Sequence, residues 1–75
     1  MRENPLRTWR KEKHLKAVEV ALKLGISEQS VLSYEKGRYE PSRENMAKLA
    51  ELMNLDLTRL NLSWKLWKRD RKSVV

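Results

Sequence analysis

Basic side chains are the most abundant chemically distinctive groups in this sequence, and they are unevenly distributed. The 75 residues include 17 Lys and Arg against 10 Asp and Glu, a formal net charge of +7. Residues 1–16 carry a net +4, residues 36–43 carry +2 and residues 63–75 carry +4, while the segments between them are slightly acidic. Such clusters suit a polyanionic partner such as nucleic acid, although the same charge also keeps a small protein in solution.

Few residues in the sequence could support catalysis or hold a metal ion. His14 is the single histidine, cysteine is absent, and there is neither a cluster of carboxylates nor a Gly-rich phosphate loop. A chain of this length also has little room for a catalytic cleft beside a full core. We therefore predict a protein that is not an enzyme and that uses no cofactor and no metal.

The sequence shows no signal for a membrane or for export. No apolar run approaches the roughly 18–20 residues of a membrane span, and the basic N-terminus does not lead into the apolar core of a signal peptide. The absence of cysteine weakly favours a reducing compartment. We expect a cytoplasmic, nucleoid-associated protein without a membrane partner.

Apolar residues recur at intervals of three and four residues, the spacing typical of helices packed on a shared core. Asn4 followed by Pro5 is typical of a helix start, and Gly25 and Gly37 are typical of helix ends. These signals predict an all-α fold, a compact bundle of four to five helices. The expected helices run from Pro5 to about Lys13, from about Lys16 to Leu24, from Glu28 to about Glu35 and from about Arg43 to Met53, followed by a short helix capped by Asp56.

The second and third predicted helices are joined in a way that restricts three positions. Ala21 is small where the two helices would cross, and Gly25 permits the positive φ of a tight turn. Val31 is the branched apolar residue that the later helix would turn into the core. Gly25 comes four positions after Ala21, and Val31 comes six positions after Gly25. This spacing indicates a helix-turn-helix.

Several separated blocks of the sequence occur in the order and spacing of a known family. They are Leu6-Arg7-Thr8-Trp9-Arg10, Val20 to Ser27, Ser30-Val31, Tyr34-Glu35-Lys36-Gly37, Pro41-Ser42 and Leu49-Ala50. The sequence resembles the Cro/repressor (Xre-type) helix-turn-helix DNA-binding family over about residues 5–60. The resemblance implies a lambda-repressor-like fold, double-stranded DNA as the partner and a third helix that enters the major groove.

The resemblance also implies roles for individual residues. Gln29 is the strongest candidate for reading a base, because its amide can pair with N6 and N7 of adenine. Glu28 could accept from a cytosine amino group or only cap its helix, and the serines could equally lie on a solvated helix surface. The implied base contacts are Glu28, Gln29, Ser30, Leu32 and Ser33. The implied DNA backbone contacts are Lys16, Ala17, Lys36, Arg38, Tyr39 and Arg43. The implied structural ion pair joins Arg10 and Glu35.

The sequence departs from the family pattern at three positions. Ala17 stands where Gln is common, Leu32 where a polar residue is usual and His14 where Gly is common. The first two departures change the expected contacts with DNA, so they leave the preferred base sequence open. The third is compatible with a left-handed backbone, which histidine tolerates better than most residues.

The C-terminal segment carries two competing patterns. Residues 60–66 alternate apolar and polar, as a strand does, whereas Leu57, Leu60, Trp64 and Trp67 also fall at helical spacing. We favour a helix over residues 64–71 and a division into a DNA-binding domain, residues 1–60, and a C-terminal segment, residues 61–75. That segment would supply dimer contacts and, from Lys68 to Lys72, a basic tail, or its tryptophans would seal the core. The candidate dimer residues are Leu57, Leu60, Leu62, Trp64, Leu66 and Trp67.

These observations lead to three candidate functions, of which the first is the leading hypothesis. The first is a sequence-specific regulator of transcription, a homodimeric repressor whose third helices lie about 34–36 Å apart on double-stranded DNA. The second is an antitoxin or protein-interaction module on the same scaffold, with a toxin or polymerase as its protein partner. The third is a general nucleic-acid or RNA-associated factor that uses charge alone.

Overall fold

A computed structural model describes residues 3–73 and the side chains of residues 3–69, and all regular secondary structure in this part of the chain is helical. The all-α fold expected from the sequence is confirmed. No helix in the described residues is both long and apolar enough to cross a membrane. The basic tail expected beyond Arg69 lies outside the described side chains. The helices are α1 (Pro5–Glu12), α2 (Ala17–Leu24), α3 (Glu28–Lys36), α4 (Arg43–Leu52) and α5 (Leu57–Ser73).

Side-chain caps define where three of the helices begin. The Asn4 Oδ1 atom accepts from the backbone N–H groups of Leu6 and Arg7 at 2.9 and 3.1 Å. The Ser27 hydroxyl accepts from the Ser30 N–H at 3.2 Å, and Ser42 caps α4 in the same way. These bonds satisfy N–H groups that have no partner within the helix. The helix starts are therefore encoded by residues next to one another in the sequence.

Left-handed backbone residues separate the helices. Gly25 and Gly37 end α2 and α3 with φ of 70° and 79°, while His14 and Asn54 adopt φ of 56° and 57° after α1 and α4. A left-handed residue turns the chain sharply and lets its N–H groups bond to the last helical carbonyls. Because such turns are short, consecutive helices pack on one core.

The five helices enclose one hydrophobic core. Six side chains are almost fully buried and represent all five helices: Leu6, Val20, Val31, Leu49, Leu60 and Trp64. The indole rings of Trp64 and Trp67 meet edge to face, with centroids 6.0 Å apart and an interplanar angle of 78°. A large share of the buried aromatic surface therefore comes from the last helix.

The C-terminal region differs from the sequence expectation. Instead of a short fifth helix followed by a separate strand, helix or tail, α5 is one helix of 17 residues that crosses position 60. The strand alternative is wrong, because helical spacing places Leu60, Trp64 and Trp67 together in the core at 0%, 1% and 5% exposure. An extended chain over the same residues would alternate its side chains between two faces and could not bury all three together.

Candidate nucleic-acid interface

The turn between α2 and α3 fixes how α3 is presented at the surface. The Ile26 N–H donates to the Ala21 carbonyl at 3.0 Å, and Ala21 itself is 2% exposed between the two helices. A Cβ atom on Gly25 would meet no atom within 4 Å, yet the backbone there has φ of +70°. Glycine at this position therefore serves the backbone conformation of the turn and not a close approach of another group.

The first turn of α3 projects polar side chains from the surface. Glu28 and Gln29 are exposed, whereas Ser30 and Leu32 are half-buried. The hydroxyl of Ser30 lies 3.0 Å from that of Ser27, so it takes part in the helix cap. Gln29 is thus the exposed amide in this turn that is able to pair with a base edge.

Ser33 differs from the other predicted base contacts in its burial. Its residue surface is only 6% exposed, and the next turn of the chain covers it, since the Arg38 N–H donates to the Ser33 carbonyl at 3.0 Å. Ser33 therefore lies deeper than the other residues expected to contact bases, and its role as a base contact stays a prediction.

An open concavity of about 340 Å³ lies between α3 and the loop that follows it. Gln29 and Ser30 lie on its α3 side, and Tyr39 and Glu40 lie on its loop side. Ser33 and Tyr34, both buried, form its floor. The described residues hold no group of three His, Asp or Glu side chains suited to a metal ion.

Exposed basic residues precede and follow the first turn of α3 along the chain. Lys36, the last residue of α3, is exposed, and so are Arg38 and Arg43 after it, with Tyr39 among them 68% exposed. Before the turn, Lys16 is exposed and precedes the half-buried Ala17 at the start of α2. In sequence order, the residues expected to contact a DNA backbone therefore lie before and after those expected to read bases.

A buried ion pair sets the position of α3 relative to α1. The Arg10 Nε and Nη2 atoms donate to the two carboxylate oxygens of Glu35 at 2.8 and 3.0 Å, and the Glu35 side chain is 4% exposed. Arg10 Nη1 also donates to the Leu15 carbonyl at 3.1 Å. The hydrogen bond to Glu35 raises the pKa of the Arg10 guanidinium, with Coulomb attraction adding to it and desolvation opposing it. The structure thus brings this predicted pair together.

Two asparagines that the sequence reasoning did not assign to the site also hold α3 in place. Asn4 Nδ2 donates to the Tyr34 carbonyl at 3.3 Å, and Asn45 Nδ2 donates to the Tyr34 hydroxyl at 3.0 Å. Asn4 was recognised as a helix cap, but nothing in the local pattern indicates that its amide also reaches α3. Both bonds join residues distant in sequence, so they emerge only from the packed fold.

Three of the six candidate dimer residues are buried in the core of their own chain. Leu60, Trp64 and Trp67 lie in the core of their own chain and are unavailable to a partner, because a side chain can bury its surface only once. The other three candidates remain accessible: Leu62 is 57% exposed, and Leu57 and Leu66 are half-buried. In the antitoxin alternative, the two buried tryptophans are equally unavailable for contact with a toxin.

Two short helices joined by a tight turn at Gly25, the second with its first turn exposed, define a helix-turn-helix protein. The helix-turn-helix family model matches residues 6–60, and the chain belongs to this family, the Cro/repressor (Xre-type) helix-turn-helix proteins. The resemblance drawn from the sequence is confirmed.

Two curated proteins illustrate the range of relatives. The chain is 46% identical over 54 residues to the ImmF control region 10 kDa protein of Bacillus phage phi105, which covers 72% of this chain and 60% of the phage protein. It is 33% identical over 55 residues to an uncharacterised HTH-type transcriptional regulator of Methanocaldococcus jannaschii, covering 73% of this chain and 83% of the archaeal protein. The chain thus spans about three fifths of the length of the phage relative. No solved structure gives a significant match.

Proposed function

We propose that this chain is a sequence-specific, double-stranded DNA-binding regulator of transcription that acts as a homodimeric repressor. The observation that carries the proposal is the exposed first turn of α3, with Glu28 and Gln29 accessible and exposed basic residues before and after it along the chain. Membership of the helix-turn-helix family supports it, as do relatives described as a phage control-region protein and a transcriptional regulator.

In this proposal α3 lies in the major groove, which at about 12 Å is wide enough for a helix. Gln29 pairs with an adenine, and Glu28 accepts from a cytosine amino group when one is adjacent. Leu32, half-buried, contributes its accessible edge to a thymine methyl group, and Ser30 holds the cap. The sequence bound is therefore determined mainly by the first turn of the helix.

Backbone contacts supply most of the affinity. Lys36, Arg38 and Arg43 contact phosphates after α3, together with the Tyr39 hydroxyl, and Lys16 and the Ala17 amide contact the backbone at the start of α2. Such contacts do not distinguish sequences, and each one adds to the salt dependence of binding.

The homodimer forms through the outer face of α5. Leu62 and Leu66 are four residues apart, so they lie on the same face of the helix and away from the core. Leu62, which is exposed, and Leu66, which is half-buried, give two copies an apolar surface to cover. Two-fold symmetry then places the two α3 helices about 34–36 Å apart, on successive turns of the major groove. A dimer at such a site represses by excluding polymerase.

Selection of bound duplexes from random DNA tests the proposal directly. We expect an enriched pair of half-sites related by two-fold symmetry, with centres one helical turn apart. Recovery of duplexes with no shared sequence would contradict specific recognition, and a single asymmetric half-site would contradict the homodimer.

Gln29→Ala tests which residue reads a base. Because the amide pairs with one base, the variant should lose about 1–3 kcal/mol of discrimination at one base pair and keep its affinity for random duplex. Lys36→Gln is the matched control, since removal of a phosphate contact weakens all duplexes alike. Equal weakening of selected and random DNA by Gln29→Ala would rule out this residue as the reader.

Paired substitutions on α5 test the dimer. Leu62→Asp with Leu66→Asp should shift the sedimentation mass to that of a monomer, because the two carboxylates would be desolvated at the interface. Leu22→Asp is the control, as Leu22 is 77% exposed on α2 and takes no part in the proposed contact. A mass unchanged by the paired substitution would place the dimer contact elsewhere.

A further inference from the structure

A polar and basic face of α5 has no role in the core or in the proposed dimer. Thr58, Asn61, Lys65 and Lys68 follow one another at intervals of three, four and three residues, so they share one side of the helix. This α5 basic face is distinct from the buried tryptophans and from Leu62. Thr58, Asn61 and Lys65 are exposed, and the Lys68 side chain is 36% exposed.

This face lies against the loop between α3 and α4. Lys68 Nζ is 3.2 Å from the Glu40 carboxylate, which ties the middle of α5 to that loop. Thr58 and Asn61 line an open cleft of about 410 Å³ together with Glu40 and Arg43. The α5 basic face is therefore continuous with loop residues already proposed to contact DNA.

We propose that the α5 basic face binds the sugar-phosphate backbone of the same DNA duplex and extends the contact of the helix-turn-helix by two phosphates, held by Lys65 and Lys68. The inference rests on the proposed function. Charge complementarity favours this partner, because the ammonium groups of α5 lie on the same face as Thr58 and Asn61, which line a cleft with Arg43, and together they present positive charge to a polyanion. The neutral Thr58 and Asn61 suit hydrogen bonds to phosphate oxygens.

Glu40 has a defined part in this arrangement. Its side chain is 60% exposed and that of Lys68 is 36% exposed, so the pair is a weak surface interaction. In the free protein the carboxylate keeps the Lys68 ammonium beside the loop. A backbone phosphate carries the same single negative charge as the carboxylate but lies within the dense charge of the duplex, and it replaces the carboxylate when DNA binds.

The test compares two variants that lose the same charge from different surfaces. Lys65→Gln with Lys68→Gln removes the proposed contacts, whereas Lys23→Gln with Lys48→Gln removes two charges beside the groove between α2 and α4. The affinity for the selected duplex is measured over a series of salt concentrations. The slope of log K against log salt is negative, and each lost phosphate contact makes it shallower by about 0.9. The slope of the α5 variant should therefore be shallower by about 1.8. The control should keep the wild-type slope.

The outcomes separate the two proposals. Equal slopes for the α5 variant and the wild type would overturn the α5 contact alone, as would equal losses in the α5 variant and its control. Absence of duplex binding by the wild-type chain would overturn the proposed function and the inference together. A loss of slope that is as large with anionic vesicles as with duplex would assign the face to general polyanion attraction and overturn the DNA contact.

A variant of Glu40 gives a second, independent readout. Glu40→Gln frees Lys68, so the affinity for duplex should rise severalfold in the wild-type background. In the Lys68→Gln background the gain should be smaller, because only the longer-range repulsion of phosphate is removed. Equal gains in both backgrounds would contradict exchange of the carboxylate for a phosphate.

Discussion

The pair α2–α3 and the helix α5 reach the same secondary structure from different information. Helices α2 and α3 have eight and nine residues, and glycine ends each of them. The 17 residues of α5 contain no glycine or proline and carry apolar side chains on two sides. Local residues therefore determine where α2 and α3 begin and end, while contact with the core determines which side of α5 faces inward.

The difference also concerns stability. Isolated helices shorter than about 12–15 residues are marginal in water, so α2 and α3 depend on packing for their structure. Helix α5 packs against α1 and α4, and its Leu60, Trp64 and Trp67 belong to the same core as the buried residues of α2 and α3. The surface proposed to read DNA is thus carried by short helices that depend on a core to which α5, proposed to make no base contact, also contributes.

Truncation of Trp64 is the strongest way to break this dependence. Trp64→Ala should lower the free energy of unfolding by about 3–5 kcal/mol, the usual cost of removing a buried aromatic ring. Leu62→Ala, on the exposed side of the same helix, should change it by no more than about 0.5 kcal/mol. Urea unfolding followed by circular dichroism measures both. Similar losses in the two variants would mean that α5 does not pack as the structure shows.

The buried indole offers a finer version of the same test. Trp64 Nε1 has no hydrogen-bond partner among the described residues, and a buried donor without a partner costs free energy. Trp64→Phe keeps an apolar ring and removes that donor. It should therefore destabilise the fold much less than Trp64→Ala, and a loss of equal size would show that the indole N–H is satisfied.

Breaking the ion pair between α3 and α1 should have a smaller effect than loss of the Trp64 ring. Glu35→Gln should cost about 2–3 kcal/mol, somewhat less than a fully buried pair, because the Arg10 side chain is 17% exposed. The raised pKa of Arg10 means that its charge contributes this stabilisation fully at neutral pH and that the stabilisation is lost as strongly alkaline pH passes through that pKa. Glu44→Gln, which removes an exposed pair with Lys48 at 3.7 Å, is the matched control and should have almost no effect. Thermal unfolding at neutral pH compares the melting temperatures of the two variants. Equal shifts would show that the buried pair contributes no more stability than the exposed pair.

Some features of the fold and the candidate site can be predicted from the sequence alone, and others cannot. The starts of α1, α3 and α4 follow from Asn4, Ser27 and Ser42 as caps, and the ends of α2 and α3 follow from the glycines, all of which act within a few residues. The register of α5 does not follow, because its strand and helix patterns overlap and only the core selects between them. The burial of Ser33 and the bonds from Asn4 and Asn45 to Tyr34 also escape local patterns. The Arg10–Glu35 pair came from the resemblance to a family, since two charges 25 residues apart carry no signal of contact.

The smallest predicted effect lies in the turn before α2, where local conformation acts without the core. His14 has φ of 56°, and a left-handed residue with a side chain costs about 1–2 kcal/mol. Glycine removes that strain but loses about 0.5–1 kcal/mol more on folding through backbone entropy. His14→Gly should therefore stabilise the fold by no more than about 1 kcal/mol, measured by urea unfolding.

Gly25→Ala is the mirror of that substitution. Because a Cβ atom there meets no neighbour within 4 Å, any loss of stability comes from the backbone at φ of +70° and not from a steric clash. We expect about 1–2 kcal/mol of destabilisation. If His14→Gly instead destabilises the protein, the histidine side chain contributes a contact, and the turn before α2 depends on tertiary packing just as α5 does. If both substitutions behave as expected, the turns on either side of α2 are governed by local conformation, whereas the placement of α5 is governed by the core.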